Sequence, residues 1–212
     1  MFYFFDICRE MDFNKLRRLT YDPEKSNKIV INIIKDINFR YPFECIDLEG
    51  YDVIINGNNH KLSNINIANP YEEESLEDFT GMFSKVDNLY IYNLNIENSN
   101  IYGKVKCGTL AGHIDNELEL YNVNANNLYV ESEAFAGGIA GRCKEVYIID
   151  SSINSEVYGH DVVGGVVGMT DKYTEEYSEI NSNGIAFGKA IGNEAGYCEL
   201  KRRKKDTKYY CF

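Results

Sequence analysis

GTLAG at residues 108–112, GGIAG at 137–141 and GGVVG at 164–168 are three versions of one small-residue motif, and their spacing decides how the chain folds. Two looser copies flank them, GMFSK from Gly81 and GNEAG from Gly192, so the leading glycines recur at intervals of 27, 29, 27 and 28 residues. A second glycine follows four positions later at Gly112, Gly141, Gly168 and Gly196, and counting places Lys85 there in the first copy. A near-constant period of this length marks a stacked repeat array.

Between the motifs, LYIYNLNIENSNIYG (89–103), LELYNVNANNLYV (118–130) and VYIIDSSINSEVYG (146–159) align, with Asn93, Asn122 and Asp150 at one repeat position. The chain holds 24 Asn and 34 Ile plus Val, a mixture suited to short strands joined by tight corners. The 3.6-residue periodicity of a helical repeat is missing, and so is the Leu and Asn frame of a leucine-rich repeat. What remains is an all-β parallel β-helix, each repeat forming one coil and equivalent residues stacking about 4.8 Å apart. Its interior is predicted to take Ile, Val, Leu and Ala. Glycines belong where chain segments approach closely, and Asn or Asp at corners where amides bond from coil to coil.

INGNNHKLSNINI (55–67), then GMF and the GTLAGHI, GGIAGRC and GGVVGMT segments, resembles the GLUG-repeat proteins, whose frame is a DGNGHTISNL-like segment followed by GLVG motifs. The resemblance covers about residues 28–196 and implies a right-handed parallel β-helix of about six coils, roughly 29 Å long at the strand spacing. It implies a binding or spacer region of a large surface or secreted protein and assigns no activity.

The ends read differently. In EMDFNKLRRLTYDPEKSN (10–27), Phe13, Leu16 and Leu19 share a face, Asp12 precedes them and Asp22-Pro23 follows, which predicts a short helix capping the open end of the solenoid. Residues 1–27 are thus expected as leader and cap, 28–196 as the β-helix and 197–212 as a basic tail. KRRKKDTK (201–208) holds six of the 22 basic and one of the 33 acidic residues, leaving 16 against 32 in residues 1–200.

The formal net charge of −11 argues against direct nucleic-acid binding by the body, and the short apolar runs argue against a membrane span. MFYFFD at the start lacks a basic region, so a cytoplasmic protein is expected, with a fragment of a secreted protein as the alternative. Six cysteines at irregular spacings form no CxxC pair and are expected as free thiols. Cys143 and Cys198, two coils apart, are expected about 10 Å from each other.

Few residues point to chemistry. Lys104, Glu133 and His160 each lie four before a glycine motif and are predicted to stack as a ladder of complementary charges. His160 and Asp161 are neighbours expected on opposite faces, and His113 and Arg142 are expected on one solvated face. No catalytic, metal or cofactor residues are assigned. Tyr90, Tyr92, Tyr102, Tyr121, Tyr129, Tyr147 and Tyr158 lie in the strand segments, as a binding surface or as stabilising ladders. The expected function is a non-catalytic module that recognises a partner protein, of basic character, through a rigid acidic face. The residues assigned to it are Glu72, Glu73, Glu74, Glu77, Asp78, Glu131 and Glu133. One alternative is an acidic mimic that inhibits a nucleic-acid enzyme, as small phage or mobile-element proteins do. Another is a carbohydrate-active β-helix enzyme.

Overall fold

A computed structural model describes residues 2–23, 27–67, 78–186, 190–192, 195–203 and 209–210. The chain winds as a parallel β-solenoid of about six turns. Each full coil has three legs, set out here for the coil that begins at Phe83. The strand Phe83–Gly103 covers two of them, bent at Asn93, and Lys106–Cys107 forms a short third leg before the glycine turn. Coil to coil the pairing is parallel: Leu89, Leu118, Val146 and Tyr173 lie in one column, as do Ile55, Ile91, Leu120 and Ile148. These side chains point inward and are essentially fully buried. Each contributes about 1.5–3 kcal/mol through removal of apolar surface from water.

The glycines stack as their spacing predicts. Gly137 pairs with Gly164 and Gly164 with Gly192, and the pairing of Ala136 with Cys107 brings Gly108 into the same column. Buried polar groups at this turn find partners: Ser99 Oγ lies 3.0 Å from Thr109 Oγ1, and Ser155 Oγ donates to the Gly165 carbonyl at 2.7 Å. The uneven period has a local origin in single-residue slips of register, one between Val86 and Asn88 and another between Ile153 and Ser155.

The structure departs from the sequence reading at both ends. Phe2–Ile7 is no leader. It is the first rung, paired in parallel with Lys28–Ile33, with Ile7 beside Ile33 in the core. The helix is a 3-10 helix, Glu10–Arg18. It buries Phe13 and Leu16, and the Phe13 ring meets those of Phe39 and Phe43 at 5.9 and 5.8 Å, which covers the next coil where the first lacks a second strand. The basic segment is also structured. Ala195–Arg203 is a strand in register with Val167–Glu176, Tyr209–Tyr210 pairs with it antiparallel, and residues 204–208 lie outside the described set.

Phe83 pairs with Ala111 and Lys85 with His113, so the first glycine turn is one residue shorter and Ser84, not Lys85, falls opposite Gly112. Lys85, His113 and Arg142 therefore form one column.

Candidate functional site

Two surface features stand out, an acidic tyrosine-rich face and a cationic notch. The face is the outside of the first legs. Its columns run Lys28, Asp52, Asn88, Glu117, Glu145, Lys172, then Val30, Ile54, Tyr90, Glu119, Tyr147, Thr174, then Asn32, Asn56, Tyr92, Tyr121, Ile149, Glu176. These residues point outward because their neighbours in each strand fill the core, so a period of two fixes the whole face. Glu145 is the best-held carboxylate: Tyr147 Oη and Lys172 Nζ each donate to its Oε2 at 2.7 Å, which lowers its pKa. Glu117 is the opposite case. Burial first, then Glu119 and Glu145, raise its pKa, and its neighbour Tyr90 is pushed up to about 12 by burial and by Glu117, Asp52 and Glu119. Crowded carboxylates among half-buried phenols leave this face in want of cations.

The notch lies where the short third leg meets the start of the next coil. A Cβ on Gly112 would stand 2.6 Å from the Thr80 nitrogen, and one on Gly141 would stand 2.5 Å from the Cys107 nitrogen. Only glycine lets these backbones close so far, and the closure brings His113 and Arg142 against Lys106. Lys106 Nζ donates to His113 Nδ1 at 3.4 Å, and His113 Nε2 donates to Asp115 Oδ1 at 2.8 Å, an arrangement that fits neutral imidazole. Burial, then Lys106, lower the His113 pKa in agreement with it. The Phe79 ring stacks on His113 and lies beneath Lys85 and Lys106, whose ammonium groups stand 5.1 and 4.6 Å from its centroid. The resulting pocket, about 360 Å³, is lined by Lys106, His113, Ile114, Asp115, Arg142, Lys144 and Asp171.

The residues assigned from sequence are scattered. Glu72, Glu73, Glu74 and Glu77 lie outside the described residues. Asp78 is exposed, and its carbonyl accepts from the Val105 and Lys106 amides at 3.2 and 2.8 Å. Glu131 is exposed between Tyr102 and Tyr158 and accepts from Tyr129 Oη at 2.8 Å. The rings of Tyr102, Tyr129 and Tyr158 form a continuous ladder with centroids 5.6 and 5.3 Å apart. Glu133 is exposed and stands in register between Lys104 and His160, yet no ion pair joins the three. His160 instead sits in a bend and meets Asp161 at 3.2 Å, because the chain there is not extended and neighbouring side chains can share a side. His113 is not solvated as expected; its side chain is 16% exposed. The acidic face was visible in sequence only through its tyrosines. The notch was hidden because it joins Lys106 of the short third leg to His113 and Arg142 of another column.

Among the described residues, no group of three His, Cys, Asp or Glu side chains is arranged to hold a metal ion, and no helix is long and apolar enough to cross a membrane. No protein-family model matches the chain, and no curated protein matches it. Among solved structures it is similar to that of a "putative immunoglobulin A1 protease" from Bacteroides ovatus, at 14% identity over 96% of this chain and 78% of that chain, with a TM-score of 0.49. A likeness at that level carries no argument about function.

Proposed function

We propose that this chain is a non-catalytic binding module that presents the acidic, tyrosine-rich outer face of its first legs to a basic partner protein. The observation that carries this reading is the lateral adjacency of Asp52, Glu117, Glu119 and Glu145 with Tyr90, Tyr92, Tyr121 and Tyr147 on one stiff sheet. Carboxylates steer and pair a cationic surface, and tyrosines supply contact area with little loss of conformational freedom. The face is held from below by a fully buried column, so association orders little of it.

Mimicry of nucleic acid has less support, because a duplex carries one charge about every 1.7 Å of axis. Here the acidic column is broken by Asn88 and ends in Lys28 and Lys172.

The test is capture of partners from host extract by immobilised protein, comparing wild type with Glu119→Lys and Tyr121→Ala together. A specific partner retained by wild type, lost from the variant and released as salt rises from about 50 to 300 mM supports the reading. Equal retention by both proteins sinks it. Charge reversal at Glu72, Glu73 and Glu74 is the companion variant and is expected to weaken capture only where that segment adds to the same face.

A further inference from the structure

The notch around Lys106 and Arg142 is unlike the rest of this acidic chain. Its lining carries three cations, Lys106, Arg142 and Lys144, against two carboxylates, Asp115 and Asp171. Asp115 is engaged by His113 at 2.8 Å, and Lys85 above the notch is engaged by Glu49 at 3.4 Å. Among the described residues, neither Lys106, Arg142 nor Lys144 forms an ion pair with a carboxylate. Three cations outnumber two carboxylates in one concave site and are brought together by the fold, since Lys106 lies over Phe79 and the close backbone approach at Gly141 sets Arg142 beside that leg. Such groups repel one another, and burial together with Arg142 and Lys85 already lowers the Lys106 pKa. An arriving anion would relieve that repulsion.

We propose that this notch is a binding site for an oxyanion group, a phosphate, sulfate or carboxylate, carried on a small polar molecule. The guanidinium of Arg142 offers a planar fork suited to two oxygens, and Lys106 and Lys144 add point charges from either side. A notch of about 360 Å³ leaves room beside an oxyanion for a carrier. Asp171 at the margin accepts hydrogen bonds and favours a carrier with hydroxyl donors over an apolar one. The site is separate from the acidic face and stands or falls without it.

Thermal unfolding of the full chain tests the site, with inorganic phosphate, glucose 6-phosphate and glucuronate as probes and sodium chloride matched for ionic strength. Wild type is expected to show a saturable rise in Tm of about 2–4 °C with at least one probe above the chloride control. Arg142→Gln and the more exposed Lys144→Gln should lose the rise, while Lys35→Gln, at an exposed lysine outside both the notch and the acidic face, should keep it. A larger effect of glucose 6-phosphate than of phosphate identifies the carrier as part of the ligand, and glucuronate alone identifies a carboxylate. Failure of all three probes to exceed chloride, or an unchanged response in both notch variants, overturns the proposal.

Discussion

Asn122 Nδ2 donates to Asn93 Oδ1 across 2.7 Å, and both residues hold left-handed backbone, with φ of 52° and 53°. The same corner is taken by Asp150 at 48° and by Tyr177 at 51° in the next two coils. Asparagine suits it twice, tolerating positive φ and bonding along the stack. Replacing Asn122 by Ala is expected to lower stability by about 2 kcal/mol, from backbone strain plus a lost hydrogen bond. Asn122→Gly should lose about half as much. Tyr177 has the poorest side chain for this backbone, so Tyr177→Asn should raise stability by about 0.5–1 kcal/mol. Urea unfolding midpoints rank the three variants, and a stable Asn122→Ala protein would show the corner is relaxed.

Gly138 gives a sharper steric test. A Cβ there would stand 2.2 Å from the Gly165 carbonyl oxygen and 2.9 Å from Ser155 Cβ, so backbone of the next coil must move. A Cβ on Gly159 would meet first the tip of a side chain, Val163 Cγ2 at 2.7 Å. Gly138→Ala should therefore destabilise by about 1–3 kcal/mol, and Gly159→Ala by less. Calorimetry of both variants decides it; equal losses would mean that the turn yields as readily as a side chain.

The glycine turns and Asn corners were legible because each position recurs under the same constraint, backbone closure at Gly137 and Gly164 and positive φ at Asn93 and Asn122. Phe2–Ile7 was not, since its link to the next coil is a 3-10 helix instead of a glycine turn and the repeat count cannot reach it. The charge of residues 197–203 suggests a tail, although register with Val167–Glu176 is what orders the strand Ala195–Arg203 that contains them. The notch escaped because it joins residues of different columns, Lys106 to His113 and Arg142, which only the three-legged coil brings together. Tyrosines marked the outer face, but the carboxylates beside them carry no motif.

Asp12 sets how the first coil responds to acid. It is buried, which opposes ionisation, yet Cys8 Sγ and the Cys8 and Arg9 amides donate to its Oδ2 at 3.2, 3.2 and 3.1 Å, and Lys15 lies 3.1 Å away. The hydrogen bonds and Lys15 win, and the pKa falls well below the usual 3.8. Because the folded carboxyl is the stronger acid, its stabilisation is complete above about pH 5 and is lost as pH falls toward the folded value. Asp12→Asn should lower stability at neutral pH and flatten the acid limb of the stability curve. An unchanged acid limb would show that Asp12 is not its source.

The buried thiols report on the register. Burial pushes Cys107 up to about 12 and raises Cys143 as well, so neither forms thiolate near neutral pH. Both should resist a disulfide-exchange reagent at pH 8 in the folded protein and react once denatured. Arg142 pairs with Met169 and Met169 with Tyr197, which sets Cys143 and Cys198 two rungs apart, about 10 Å and beyond disulfide reach. Peptide mapping under non-reducing conditions should find no link between them, and finding one would break the register.

Glu117 faces Glu145 directly across adjacent strands, and Lys172 on the next strand bonds Glu145 and offsets Glu117 only in part, through space. Like charges so placed oppose folding by about 0.2–1 kcal/mol. The sign follows from the raised pKa of Glu117: the unfavourable contribution is absent below the unfolded value near 4.5, appears as pH rises through that value, and is complete once pH exceeds the folded one. Glu117→Gln should therefore be more stable than wild type at pH 7 and indistinguishable from it near pH 3. A carboxylate kept at some loss of stability is what a binding face requires, so the same variant should hold a basic partner less tightly. A variant more stable at pH 7 with unchanged partner retention would separate the strain from recognition and move the interface elsewhere on the solenoid.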